Sequence, residues 1–176
     1  MVFGSEQSQS LLNAHKLTYK RFPFNKSPLE IFSKLQKRYE TAYLLESIEG
    51  PKKLAQYSFI GFSPNLTIQV KKGNTEIRNE KTGETITEKT SDPLHNIAKL
   101  VKAKTVLNSN FRFVGGAVGY ISYDAVRYWE KLPQKTRDEL NFPDAQLGFF
   151  NDGIVFDHRQ KRAFYYYSSD NRLDEV

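Results

Sequence analysis

The sequence predicts an α+β fold with a largely antiparallel sheet, built from hairpins and covered by a few helices. Short runs rich in β-branched and aromatic residues alternate with turn residues over most of residues 41–89. The connections between these runs are too short for parallel crossovers. Two other segments carry helix-start signals followed by apolar residues at helical spacing. Of the 176 residues, 39% are hydrophobic and 14% aromatic, which is enough apolar surface for one core.

The first predicted elements are a strand and a well-signalled helix. Residues 1–14 are polar and are predicted to form a flexible tail, and the alternation in residues 16–22 predicts a half-buried strand. Ser27 and Pro28 start a predicted helix of about three turns, because Glu30 completes a capping box that satisfies free N–H groups. The face expected to cover the sheet consists of Leu29, Phe32, Leu35, Gln36 and Tyr39.

Five short strands and a second helix follow. The strands are predicted at residues 42–45, 57–62, 66–70, 75–78 and 84–88. Turn residues at 72–74 and 79–83 separate the last three of them, which favours antiparallel hairpins. Asp92 and Pro93 open the second helix. Its predicted apolar stripe consists of Leu94, Ile97, Ala98 and Val101.

The glycine-rich run that follows has a structural interpretation. Gly115-Gly116-Ala117-Val118-Gly119 lacks the spacing of a dinucleotide-binding loop and the lysine of a P-loop. We therefore expect these glycines to let a bent or bulged strand lie close to another backbone. The aromatic residues beyond them are interpreted as core and rim residues: Tyr120, Tyr123, Tyr128 and Trp129.

The last predicted elements are a short amphipathic segment and a hairpin. The segment covers residues 125–129, and the hairpin pairs residues 146–156 with residues 162–167 across a turn at 157–160. Beyond the hairpin, residues 172–176 would form roughly one helical turn, which is too short to be stable alone. Either this end frays or the sequence is part of a longer protein.

The distribution of charge favours a solvated surface over a nucleic-acid-binding one. The chain has 26 Lys and Arg against 20 Asp and Glu, a formal net charge of +6. Its basic residues occur in ones and twos beside acids or turns, and they are not massed along one helix. We therefore predict no nucleic-acid partner, and a nucleic-acid-binding β-domain with exposed aromatic residues is a disfavoured alternative.

Composition excludes several kinds of site. The absence of cysteine rules out disulfides, thiolate metal ligands and cysteine nucleophiles. The three histidines are far apart in sequence, so no metal site is predicted. Ser47 has no histidine nearby in sequence, and no catalytic residues are predicted. No apolar run approaches the ~18 residues of a membrane span, and the N-terminus lacks signal-peptide features. We expect a cytoplasmic protein with no membrane partner.

An acidic residue ends an apolar run at Leu44-Leu45-Glu46-Ser47. Carboxylates are rarely buried without a partner, so Glu46 either faces water or meets a cation that a pocket was built to hold. Strict strand alternation would send Glu46 and Ser47 to opposite faces. We therefore expect the strand to end or bulge at Ser47.

Three motifs in this order and spacing resemble the N-terminal domain of anthranilate synthase component I. They are Leu44-Leu45-Glu46-Ser47, Tyr57-Ser58-Phe59-Ile60-Gly61 with Pro64, and the segment at residues 113–124. On this resemblance, residues 15–176 are the N-terminal regulatory domain, and the C-terminal chorismate-binding domain is absent from the chain. The large subunit of aminodeoxychorismate synthase shares these motifs, so both families remain open.

The resemblance implies an activity for the longer protein. Component I is a lyase of tryptophan biosynthesis that converts chorismate and ammonia to anthranilate and pyruvate. Its Mg²⁺ is bound by the C-terminal domain, so no cofactor is expected in this chain. Its ammonia comes from glutamine through a glutamine amidotransferase partner, component II. The chain alone is expected to be catalytically inactive.

The resemblance also implies that this domain supplies much of the pocket in which L-tryptophan inhibits the enzyme. The implied inhibitor-binding residues are Leu45, Glu46, Ser47, Tyr57, Ser58 and Phe59. A carboxylate and a hydroxyl can satisfy the ligand's ammonium, while apolar walls accept its indole ring. Because one wall of the pocket would belong to the absent domain, we expect the isolated chain to bind tryptophan weakly.

Two further points bear on this expectation. The related family often has arginine just before Tyr57, where this chain has Gln56. The loss of that charge could weaken a salt bridge or the interface with the absent domain. A different class of function also stays open, namely a stand-alone amino-acid-binding module that regulates a partner in trans.

Overall fold

Two five-stranded antiparallel sheets form the framework of the fold. A computed structural model of the chain describes residues 17–46, 56–103, 111–133 and 138–176. The strands are β1 (Thr18–Phe22), β2 (Ala42–Glu46), β3 (Tyr57–Phe62), β4 (Leu66–Lys71), β5 (Asn74–Asn79), β6 (Thr85–Lys89), β7 (Gly116–Ile121), β8 (Ala145–Phe150), β9 (Asp152–Asp157) and β10 (Arg162–Tyr167). The first sheet has the strand order β1-β10-β9-β3-β2, and the second has the order β6-β5-β4-β8-β7.

The helices of the described ranges complete an α+β fold. They are α1 (Pro28–Arg38), α2 (Pro93–Ala103) and two 3₁₀ helices at Tyr123–Tyr128 and Leu173–Glu175. The α+β class and the antiparallel hairpins predicted from the sequence are confirmed. None of these helices is long and apolar enough to cross a membrane. The predicted tail at residues 1–14 lies outside the described residues.

The chain bends and passes from one sheet to the other at two places, between β3 and β4 and between β8 and β9. β3 and β4 are separated at Ser63, whose φ of 47° lies in the left-handed region. β8 and β9 are separated by Asn151 alone, and the Asn151 N–H donates to Asn65 Oδ1 at 3.0 Å. The prediction of one continuous strand at residues 146–156 is therefore wrong. Strands that switch sheets commonly do so at such bends, because each half pairs with different neighbours.

Helix α1 begins with the predicted capping box. The Glu30 N–H donates to Ser27 Oγ at 3.2 Å, and the Ser27 N–H donates to Glu30 Oε2 at 2.7 Å. Ile31 and Leu35 are 5% and 3% exposed in the core of the first sheet, whereas Leu29 is 57% exposed. The assignment of Leu29 to the covering face is therefore wrong. Leu29 precedes Ile31 by two residues and is thus turned about 200° away from it around the helix.

Helix α2 covers the second sheet with a different stripe from the predicted one. Ile97 and Leu100 are 8% and 5% exposed and pack on the strand residues of this sheet. Leu94 and Val101 are 43% and 42% exposed, so their predicted place on the buried stripe is wrong. The helix is rotated so that residues three apart, Ile97 and Leu100, face the sheet.

The interpretation of the glycine-rich run is confirmed. Gly119 of β7 packs so closely on β8 that an added Cβ would lie 2.7 Å from Leu147 Cα and would clash with the Gln146 carbonyl oxygen. Gly115 has a φ of 88°, and a Cβ there would clash with the Phe150 carbonyl oxygen. A side chain at either position would therefore push β7 away from β8.

The C-terminal segment is fastened to the corner between the sheets. Arg172 donates to both carboxylate oxygens of buried Asp152, at 3.0 and 2.5 Å, and also to the backbone carbonyls of Phe62 and Ser63. Leu173 and Val176 pack against the core of the first sheet. These contacts contradict the alternative that this end frays.

Candidate functional site

The sequence-implied binding residues meet at one end of the first sheet. Antiparallel pairing of β2 with β3 sets Leu45 opposite Phe59 and Glu46 opposite Ser58. Glu46 is the last residue of β2, which is an edge strand. Ser47 lies outside the described residues, and with it the expectation of a strand end or bulge there. Pairing between strands, rather than proximity in sequence, thus assembles the candidate site.

These residues divide between the two faces of the sheet. Glu46 and Ser58 lie on the face covered by α1, in line with Ile60 of the first core. Leu45 and Phe59 lie on the opposite face, because side chains alternate along a strand. The structure therefore does not bring the implied residues onto one common surface.

The face that carries Leu45 and Phe59 is aromatic and only partly covered. The Phe59 ring lies 5.4 Å from that of Phe113, and the Tyr57 ring lies 5.7 Å from that of Phe111. All four rings are half-buried, and Leu45 is 42% exposed. This arrangement leaves an apolar wall next to the end of β2, suited to an aromatic ligand group.

Phe111 and Phe113 contribute to this face although the sequence did not identify them as site residues. They precede β7, which begins at Gly116. The segment before β7 instead crosses the open face of the first sheet. The alternation of two phenylalanines before the glycines was a visible signal of apolar packing, but nothing in their spacing indicated which surface they would cover.

Buried Ser58 forms a hydrogen-bonded pair with half-buried His158, and Ser58 lies opposite Glu46 on the neighbouring strand. Ser58 is 0% exposed, and its Oγ lies 2.7 Å from Nε2 of His158, a hydrogen-bond distance. The His158 backbone N–H also donates to the Gln56 carbonyl at 2.9 Å. Because the Ser58 hydroxyl is closed off from solvent, it cannot act as a nucleophile on an incoming substrate. From the sequence, His158 is predicted only as part of a hairpin turn.

Gln56 occupies the position where the resembling family often has arginine. Its Nε2 donates to the Tyr57 hydroxyl at 2.8 Å. Gln56 thus positions the hydroxyl of Tyr57, a residue of the apolar wall, through a hydrogen bond between two uncharged groups. A neutral amide there contributes orientation but no charge to the site.

The carboxylate of Glu46 is available at the rim of the sheet. The side chain is exposed, and among the residues that the structure describes it forms no ion pair. An exposed carboxylate has the chemistry to accept an ammonium group. Within the described ranges there is no group of three or more side chains that could hold a metal ion.

A second polar cluster lies on the other sheet. Lys71 Nζ lies 2.7 Å from Asp138 and 3.5 Å from Asp144, and the Tyr128 hydroxyl donates to Asp144 at 2.8 Å. Hydrogen bonding to Asp138 raises the pKa of Lys71, and the same bond lowers the pKa of Asp138. These contacts fix residues 138–144 against the sheet, and we interpret the cluster as structural.

Comparison with known proteins identifies relatives of the chain. A family described as "chorismate binding enzyme" matches residues 75–176. Anthranilate synthase component 1 of Methanothermobacter marburgensis is 34% identical over 175 residues, which is 99% of this chain and 35% of that protein. Aminodeoxychorismate synthase component 1 of Bacillus subtilis is 36% identical over 147 residues, covering 81% of this chain and 29% of that protein.

The fold is also similar to a solved structure. A crystal structure of anthranilate synthase component I from Streptococcus pneumoniae TIGR4 aligns with a TM-score of 0.53 and 24% identity, over 89% of this chain and 33% of that one. At this identity the likeness supports the fold alone. The chain spans about a third of the length of the relatives it matches.

Proposed function

Because this chain belongs to the chorismate-binding enzyme family, we propose that it is the N-terminal regulatory part of an anthranilate synthase component I. The observation that carries the proposal is the alignment of 99% of the chain with a protein of that name. The longer protein would be a lyase that converts chorismate and ammonia to anthranilate and pyruvate. Since the chain covers 35% of that relative, we propose that it is not catalytic by itself.

We further propose that the end of β2 and β3 supplies one wall of a tryptophan inhibition site. The free carboxylate of Glu46 would receive the ammonium of the ligand, together with Ser47. The indole would lie against Leu45 and the aromatic face of Tyr57 and Phe59. Two features support this assignment: β2 is an edge strand, and the aromatic face beside its end is only half-buried.

The remaining partners follow from the same proposal. The partly covered aromatic face would dock the C-terminal chorismate-binding domain of the longer protein, which would complete the inhibitor pocket. We propose that the same domain would hold the Mg²⁺ of the longer protein. Glutamine amidotransferase component II would supply ammonia.

One alternative has a specific observation in its favour. The similarity to aminodeoxychorismate synthase component 1, at 36% identity, is as high as that to the anthranilate synthases given above. In that case the longer protein would make 4-amino-4-deoxychorismate. A stand-alone amino-acid-binding module that acts in trans is the second alternative, and it shares the tryptophan site with the main proposal.

Calorimetric titration of the purified chain with L-tryptophan tests the inhibitor site. We expect weak but measurable binding, and a loss of about tenfold in affinity for Glu46→Gln, because the variant keeps the shape of the side chain but removes its charge. Indole-3-propionate, which lacks the ammonium, should bind the wild type and the variant equally. If Glu46→Gln left L-tryptophan affinity unchanged, the assignment of Glu46 to the ammonium would be wrong.

A further inference from the structure

We propose that a cavity at the β1 edge of the first sheet binds a small organic carboxylate that carries an apolar group. The cavity lies where β1 ends and β10 begins, and its volume of about 400 Å³ is in the range of ligand pockets. β1 and β2 are the opposite edges of this sheet, so roughly 20 Å separates them. The cavity is therefore a separate site from the one proposed for tryptophan, and its role does not depend on that proposal.

Positive charge lines the cavity without a matching negative charge. The cationic lining residues are Arg21, Lys161 and Arg162, and no acidic side chain is among the described residues that line it. Within the described ranges Arg21 and Lys161 form no ion pair, and Arg162 has only the Asp157 carboxylate, at 3.9 Å. Cations that share one cavity repel one another, and an anion between them offsets that repulsion. The cavity therefore favours an anionic ligand.

The two arginines flank one aromatic ring. Arg21 of β1 lies directly opposite Phe164 of β10, and Arg162 lies two residues before Phe164, on the same face of the strand. The Arg162 guanidinium lies 5.5 Å from the centre of the Phe164 ring. This contact restricts the orientation of the guanidinium before any ligand binds. Because a planar guanidinium can donate two parallel hydrogen bonds to a carboxylate, a carboxylate is the anion that fits this arrangement.

The remaining lining of the cavity is apolar. It consists of Phe22, Pro23, Phe24 and Ala163. The Phe24 ring packs on the Phe156 ring with 6.0 Å between their centres, yet Phe24 remains 38% exposed. Covering the exposed part of this ring with carbon atoms of a ligand is favourable, because it removes apolar surface from water. The lining therefore favours an organic carboxylate over an inorganic anion.

Titration of the full 176-residue chain with 3-phenylpropionate, followed by ¹⁵N–¹H NMR spectra, tests the site. We expect the amide signals of Phe24 and Ala163 to shift and to saturate. The uncharged analogue 3-phenylpropanamide should bind about tenfold more weakly, because it has nearly the same shape but offers the cations no charge.

Variants of the lining residues locate the charge that is required. Lys161→Gln should weaken the binding of 3-phenylpropionate about threefold, and Arg21→Gln/Arg162→Gln about tenfold, because each change removes positive charge from the lining. Arg159→Gln is the matched control, since this exposed residue of the same turn is not among the lining residues. Its affinity should stay within about twofold of the wild type, because exposed charges outside the cavity are screened. Glu46→Gln should leave the affinity for 3-phenylpropionate unchanged, whatever its effect on tryptophan.

Three results would overturn the proposal. Equal affinity for the acid and its amide would mean that the cations play no part. Equal shifts of the same signals by inorganic phosphate would mean that the apolar walls contribute nothing to the choice of ligand. A loss for Arg159→Gln as large as that for Lys161→Gln would mean that overall charge, and not this cavity, attracts the acid. Thermal unfolding identifies any variant that fails to fold, and if the double variant does, Lys161→Gln decides.

Discussion

At the scale of single residues, the least solvent-exposed charge pair among the described residues joins Asp152 to Arg172. Asp152 is 3% exposed and also accepts a hydrogen bond of 2.5 Å from the Tyr165 hydroxyl. The Arg172 guanidinium lies 4.7 Å from the centre of the Phe62 ring. Every oxygen of the buried carboxylate is therefore engaged, and the C-terminal segment is tied to the corner where β3 leaves the first sheet.

Arg172→Gln should lower the free energy of unfolding by about 3 kcal/mol, because it leaves the Asp152 carboxylate buried without its cation. Urea denaturation followed by circular dichroism measures the change. Asp152→Asn/Arg172→Gln should lose less than the sum of the two single variants, since no isolated charge remains. Additive losses would mean that the two side chains do not stabilise each other. Lys81→Gln, which removes an exposed pair with Asp170, should have little effect.

At the scale of elements, helix α1 shows how a capping motif and a buried face are determined separately. The capping box of Ser27 and Glu30 defines where the helix begins, because its hydrogen bonds span three residues. The face that is buried depends on the sheet beneath. Ile31 and Leu35 pack in the first core with Ile60, whereas Leu29 points to solvent.

Ile31→Ala should cost about 2–4 kcal/mol of unfolding free energy, because it leaves a cavity under the helix. Leu29→Ala is the matched control on the same helix and should change stability by less than about 1 kcal/mol. Chemical denaturation of both variants under one set of conditions measures the difference. Similar losses at the two positions would contradict the orientation of α1.

At the scale of the whole molecule, the first sheet carries buried tyrosines that ionise only at high pH. Burial raises the pKa of Tyr166 well above its ordinary value of 10.0. Burial likewise raises the pKa of Tyr43 and of Tyr165, and Asp152 raises that of Tyr165 further. These hydroxyls stay protonated in the folded protein at a pH where they would ionise in the unfolded chain.

The free energy of unfolding should therefore be insensitive to these tyrosines below pH 10 and should fall as the pH rises above it. The sign follows because the folded state binds more protons than the unfolded state in that range, so raising the pH favours unfolding. Urea denaturation at a series of alkaline pH values measures the slope, and the phenolate absorbance reports ionisation. Tyr43→Phe should make the alkaline slope shallower. Ionisation of all tyrosines near pH 10 without unfolding would contradict this prediction.

The candidate site was predictable from sequence only in part. Resemblance implied Leu45, Glu46, Tyr57, Ser58 and Phe59, and the register of β2 with β3 brings them to one end of a sheet. The alternation of side chains along the strands indicated that these residues would divide between two faces. It did not indicate that aromatic rings would partly cover one of these faces. The covering rings are those of Phe111 and Phe113, which precede β7, and their contacts join segments about 50 residues apart.

The local elements were predictable from the sequence: the antiparallel hairpins, the start of α1 at its capping box, and a glycine-rich strand that lies close to another backbone. Each depends on backbone conformations and hydrogen bonds among neighbouring residues or on the absence of a side chain, which adjacent letters specify. Three further features became visible only in the folded molecule: the corner at Asn151, the buried stripes of the two helices and the hydrogen bond between Ser58 and His158. These features depend on which distant segments pack together, because burial and strand register are properties of the assembled sheets.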